Sequence, residues 1–129
     1  MKSLVLSLAF VLSVSAAKAT DFTQRLVDDD GKPLCAVVDK DGSCKKEVTL
    51  GLAVRTALDA PANTQGLSAD EKDRRGELSQ ALIGATHPVL LEADWRMIRN
   101  AIGNFYPPSI VHQAWKLLGD PPAAAPAGK

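Results

Sequence analysis

The stretch LCAVVDKDGSCKKEVTLGLAVRTALDA, residues 34–60, changes its periodicity halfway along. Before Thr49 it is β-prone. Ala36-Val37-Val38 runs into Asp39-Lys40-Asp41-Gly42-Ser43, and Asp-Gly suits a turn that needs positive φ, so a hairpin whose arms start near Cys35 and Cys44 is expected. After Thr49, residues Leu50, Ala53, Val54, Ala57 and Leu58 fall at i, i+3, i+4, i+7 and i+8, the spacing of one buried helix face, with Thr49 as N-cap and Ala60-Pro61 as the stop. One segment thus holds both halves of an α+β domain.

Working outward toward the N-terminus, Asp30-Gly31 marks a second turn, and residues 22–27, 34–38 and 44–48 read as two or three small antiparallel strands. Pro33 places a strand start or an edge there. Toward the C-terminus, residues 63–67 form a polar loop, and Ser68-Ala69-Asp70-Glu71 has capping-box spacing. In the helix that follows, Asp70 with Arg74 and Glu71 with Arg75 are expected to pair at i, i+4, with Leu78, Ala81 and Leu82 facing inward and Gly84 ending it. A third helix over residues 92–102 carries the stripe Leu91, Trp95, Ile98, Ile102, with Gly103-Asn104 as a left-handed exit. A fourth starts at Pro108 or Ser109, buries Val111, Ala114, Trp115 and Leu118, and stops at Gly119-Asp120-Pro121. The expected architecture is a small N-terminal β-hairpin or meander packed on about four short α-helices, a single α+β domain over residues 20–120.

The ends read differently. Lys2, an apolar run over residues 4–14 and the small-residue site Ala17-Lys18-Ala19 have the form of a secretory signal peptide over residues 1–19, cleaved between Ala19 and Thr20. A spanning anchor is the alternative, but it needs about 20 apolar residues, and Ser7 and Ser13 interrupt this run. No Cys follows the site, so a lipoprotein anchor does not fit. Cleavage takes Lys2 and Lys18 out of a chain with 15 basic and 15 acidic residues, leaving an exported form with an excess of acid. That balance argues against nucleic acid as a partner, since phosphate neutralisation needs clustered Lys and Arg. The expected location is periplasmic or secreted, with no stable membrane anchor after cleavage. Residues 121–129, with three prolines and no large apolar side chain, read as a disordered Pro/Ala tail.

Export decides how Cys35 and Cys44 are read. In an oxidising compartment they form a disulfide across the hairpin, worth about 2.7 kcal/mol by loop-closure entropy. A redox pair is the alternative, which more often has C-x-x-C spacing. Other chemistry is sparse. Asp39-Lys40-Asp41-Gly42-Ser43 starts like a calcium loop but has Cys44 at the sixth position and Leu50 at the twelfth, where Gly and Glu are needed. Asp28-Asp29-Asp30-Gly31 reads as a solvated turn. His87 and His112 lack metal-ligand spacing, no G-x-S-x-G occurs, and Glu92 and Asp94 point to different helix faces. No catalytic residue, metal ligand or cofactor is assigned.

Four of the aromatic residues beyond position 20 are Trp95, Phe105, Tyr106 and Trp115. The two tryptophans sit on apolar stripes and read as core. Phe105-Tyr106-Pro107-Pro108 lies between helices, where it is either an interaction surface or a staple that fixes the helix angle.

Asp30-Gly31-Lys32-Pro33, Thr49-Leu50-Gly51 leading to Ala57-Leu58, Ile98, Ile102-Gly103, Tyr106-Pro107-Pro108 and Gln113-Ala114-Trp115-Lys116-Leu117-Leu118 resemble a group of small uncharacterised proteins of bacteriophages, prophages and some proteobacterial genomes. The resemblance covers residues 26–118. This chain departs from it at Leu91, where the pattern prefers a capping Ser or Thr, and in its signal segment. The family brings no activity and no catalytic residues. The leading expectation is a non-enzymatic protein-binding module of the periplasm or extracellular space, its partner another protein. A phage-type structural or assembly protein and a small cell-envelope hydrolase are the alternatives.

Overall fold

The computed structural model describes residues 18–122. Residues 1–17, with most of the expected signal peptide, and residues 123–129 of the Pro/Ala tail lie outside the described residues. In chain order the elements are β1 (Lys18–Ala19), β2 (Cys35–Val38), β3 (Cys44–Glu47), α1 (Leu50–Asp59), α2 (Pro61–Thr64), α3 (Ala69–Ala81), β4 (Val89–Leu90), α4 (Glu92–Phe105) and α5 (Pro108–Leu118). This is the α+β arrangement expected, a small hairpin ahead of a set of helices. β2 pairs antiparallel with β3, and β1 with β4 in the register Lys18↔Leu90 and Ala19↔Val89.

The β2–β3 hairpin is irregular. Its partners run Cys35↔Glu47, Val37↔Lys46 and Val38↔Cys44, so Ala36 on one strand and Lys45 on the other are extra residues that offset each other. Such bulges bend and twist a ladder. Here they bring the Cα atoms of Cys35 and Cys44 to 5.7 Å, and a disulfide joins them. The turn between the strands is closed by Gly42 at φ 90°, with Asp41 Oδ1 accepting from the Ser43 amide. Asp39 and Asp41 therefore serve the turn. Asp28 does the same one turn earlier, its Oδ1 accepting from the amides of Asp30 and Lys32.

α1 is the centre of the helical layer, packed against α3 and α4, with α5 packed on α4. The α1 face picked out by periodicity, Leu50, Ala53, Val54, Ala57 and Leu58, is wholly buried. Leu50, Val54, Ala57 and Leu58 meet Phe22, Leu82, Leu90, Trp95, Ile98, Ile102, Ala114 and Leu118 in the main core, and Ala53 meets Leu26 and Ile110 in a smaller one. Thr49 Oγ1 accepts from the Leu52 amide as an N-cap should. The two amides before it are met by backbone, Leu50 N–H donating to Gln24 O at 2.7 Å and Gly51 N–H to Phe22 O at 3.0 Å. A Cβ on residue 51 would sit 3.3 Å from that carbonyl, so glycine permits the approach.

Several local expectations are corrected. Residues 22–27 form no strand but a turn at Phe22–Thr23 followed by isolated bridges Arg25↔Thr49 and Val27↔Pro33, because their backbone groups are spread over α1, Thr86, Val48, Leu34 and Gln113. Residues 61–64 form α2 instead of starting a loop, with Pro61 in its first turn. Asn63 Nδ2 donates to the carbonyls of Ala57 and Ala101, tying α1 to α4. On α3, Ser68 Oγ accepts from the Glu71 amide, but the Glu71 carboxylate takes the Ser68 hydroxyl. The pairs Asp70–Arg74 and Glu71–Arg75 do not form, whereas Arg96 and Glu92 do pair at 2.8 Å; exposed pairs gain little over water. Ala81 is exposed while Leu82 is buried and Leu78 partly so. α4 runs through Gly103 and Asn104 to Phe105. Within that helix a glycine at position 103 makes room for Trp115, which lies 3.0 Å from where a Cβ would be. Leu91, the N-cap of α4, is 56% exposed and drops out of the stripe. On α5 the buried residues are Ile110, Ala114 and Leu118, with Val111 and Trp115 only partly covered. Pro121 is exposed and Pro122 buried.

Trp95 is 6% exposed and belongs to the main core. Trp95→Ala is expected to destabilise the fold by about 3 to 5 kcal/mol, read as a lowered denaturant midpoint. A wild-type midpoint would show that the indole carries no packing.

Candidate functional site

Three residues from three segments of the N-terminal region are joined in a ring of backbone hydrogen bonds. Leu26 N–H donates to Val48 O at 3.0 Å, Val48 N–H to Leu34 O at 2.9 Å, and Leu34 N–H to Leu26 O at 2.9 Å. The next residue along, Val27, is held by a side chain. Gln113 of α5 accepts from Val27 N–H at 2.9 Å and donates to Val27 O at 2.7 Å, standing in for a neighbouring strand.

The ring borders a cavity of about 330 Å³. Leu26, Leu34 and Val48 contribute to it from the strand side, Cys35 and Ala36 from β2, Leu52 and Thr56 from α1, and Ile110 from α5. Tyr106 completes the lining. Its size lies at the lower end of small-ligand sites, about 300 to 1,000 Å³. Almost every lining side chain is apolar, so the cavity suits an apolar group and offers nothing to a charge.

Tyr106 links this cavity to the core. Its hydroxyl donates to Ala53 O at 3.0 Å, on the buried face of α1, and its ring packs against both core clusters. Burial raises the phenol above its ordinary pKa, opposed in part by hydrogen bonding with Thr56. Phe105 packs edge-on against the Tyr106 ring with centroids 4.8 Å apart. Phe105, Pro107 and Pro108 are exposed, Phe105 by 40%. A second cleft of about 390 Å³ shares Tyr106 and is otherwise lined by Gly103, Pro108, Val111, His112 and Trp115. Tyr106 is thus a staple in its hydroxyl and a wall of two clefts in its ring.

The remaining candidates stay apart. His87 is exposed, with its Nε2 3.8 Å from Asp21 Oδ1 and a ring nitrogen 3.4 Å from the Thr86 hydroxyl. Asp21 is held below the usual carboxylate range by the Thr23 hydroxyl and amide. His112 is exposed on α5, and Glu92 is taken by Arg96. Arg99 lies 3.6 Å over the Trp115 ring, whose Nε1 donates to Arg99 O. Among the described residues no group of three or more His, Cys, Asp or Glu is placed to hold a metal ion, and no helix is long and apolar enough to cross a membrane. The cavity itself was not foreseen. Leu26, Leu34 and Val48 are ordinary strand residues, and only their non-local bonding turns them toward one space.

Tyr106→Phe keeps the ring and deletes the bond to Ala53 O. The expected loss is about 1 kcal/mol of stability, measured by denaturant unfolding; an unchanged midpoint would show that the hydroxyl ties nothing. No family model, curated protein or solved structure matches the chain.

Proposed function

We propose that the protein is an exported, disulfide-clipped binding module without a catalytic role, which holds an apolar side chain of another protein in the cavity beside Tyr106. The observation that carries the reading is the cavity, an open apolar space bordered by an irregular strand. Apolar anchors seated in preformed pockets supply much of the affinity of protein interfaces. Next along the chain to its lining residues Ala36 and Tyr106 are further exposed apolar groups: Val37 at 44%, Val38 at 60% and Phe105 at 40% exposure. Pro107 and Pro108 add rigid, low-entropy surface to the same corner. The Cys35–Cys44 bridge supports a periplasmic or extracellular setting, because such bonds persist in oxidising compartments.

β2 also has backbone to offer. Within its sheet it pairs with β3 alone, so its outer side can take an extended segment while the cavity takes that segment's apolar side chain. Selection from a displayed random-peptide library tests this. Enriched peptides should share one large apolar residue, and Ala36→Phe, which fills the cavity rim from an exposed position, should abolish their binding without altering the melting curve. Peptides that lack an apolar residue, or that bind Ala36→Phe as well as wild type, would exclude the cavity.

The export half has its own measurement. Material recovered from outside the cytosol should begin at Thr20, without the two residues of β1, and weigh two hydrogens less than the dithiol by non-reducing mass spectrometry. A chain still beginning at Met1 with free thiols would overturn it.

A further inference from the structure

A different cleft, of about 300 Å³, lies between β3, the start of α1 and the turn before β4. Its lining is mixed: Phe22, Leu52 and Leu82 stand beside Lys46, Arg55 and the threonines Thr23, Thr49 and Thr86, so it carries the cationic groups that the Tyr106 cavity lacks. Arg55 projects from α1 with its Nε buried and without a hydrogen-bond partner. Burying a donor of a charged group without an acceptor costs several times more than a made hydrogen bond returns. Lys46 lies on β3 and is exposed.

The nearby acids are occupied elsewhere. Glu47 pairs with Arg25 at 3.0 Å, Asp21 accepts from the Thr23 amide and hydroxyl, and Asp59, one turn along α1 from Arg55, accepts from Ser79 Oγ at 3.1 Å. The ion pairs among the described residues are Arg25–Glu47, His87–Asp21 and Arg96–Glu92, so neither cation of the cleft has a carboxylate partner. The helix N-terminus adds nothing itself, because the amides of Leu50, Gly51 and Leu52 are already bonded. What remains is a partly exposed guanidinium and an exposed ammonium, while the Thr23 and Thr86 hydroxyls are engaged by Asp21 and His87.

We propose that this cleft binds a small oxyanion, a carboxylate or phosphate group, through Arg55 and Lys46. Arg supplies planar, directional donors and Lys a compact positive charge, the combination that fits either group. The site is separate from the Tyr106 cavity, and its fate does not depend on that reading.

The test is a titration of the disulfide-bonded chain at constant ionic strength, with sodium phosphate in one arm and sodium succinate in the other, followed by the Arg55 Nε–H and Thr86 amide resonances. Saturable shifts are expected in at least one arm, and the arm that saturates identifies the group. Arg55→Gln should weaken binding by about tenfold or more, and Lys46→Gln should weaken it less. Absence of saturation in both arms overturns the proposal, as does wild-type affinity in both variants. If Arg55→Gln fails to fold, Lys46→Gln decides alone, since its side chain is exposed: unchanged affinity overturns the site.

Discussion

The closed ring of backbone bonds among Leu26, Leu34 and Val48 is the constraint on which the N-terminal half depends. Isolated two-stranded hairpins are marginal in water, and this one is barely buried: three of four residues in β2 and in β3 are exposed. The ring gives it a fixed root. It also sets the path of residues 22–26, which brings Gln24 O and Phe22 O onto the first amides of α1. Phe22 and Leu26 are then buried on opposite clusters, the first against the main core and the second with Ala53 and Ile110. Strand closure, helix capping and core assembly are consequences of the same few bonds.

The helices answer with side chains. Gln113 takes both backbone groups of Val27, Tyr106 reaches Ala53 O, Asn63 bridges α1 and α4, and Gly103 lets Trp115 lie against α4. The positions of Gly51, Gly103, Tyr106 and Gln113 are explained by such close approaches and ties. Their pattern therefore marks how the domain is held together.

The sequence was most legible where structure is local. α1, its Thr49 cap, the Ser68 cap, the buried Trp95 and Ile98 and the Gly42 turn all follow from spacing within a few residues. Gly103 is illegible for a physical reason: next to Asn a glycine looks like a helix exit, and only the Trp115 ring packed on it shows that it serves a close approach instead. β1 and β4 are two residues each and lie some seventy positions apart, so no local pattern announces them. The clefts were least legible of all. The Tyr106 cavity needs Leu26, Val48, Tyr106 and Ile110 in one place, and the cationic cleft needs Lys46 of β3 beside Arg55 of α1.

The disulfide has a narrower task than general reinforcement. Neither cysteine belongs to a core cluster, and the clusters draw on Leu34 and Val48 at the root of the hairpin rather than on its arms. Yet Cys35 and Ala36 border the Tyr106 cavity and Lys46 borders the cationic cleft. Leu52, the first α1 residue capped by Thr49, lines both. The arms are thus walls of two clefts, held by few apolar contacts of their own. A covalent clip across them restricts the hairpin where packing does not. The bridge therefore restrains the walls of the two clefts more than it reinforces the core.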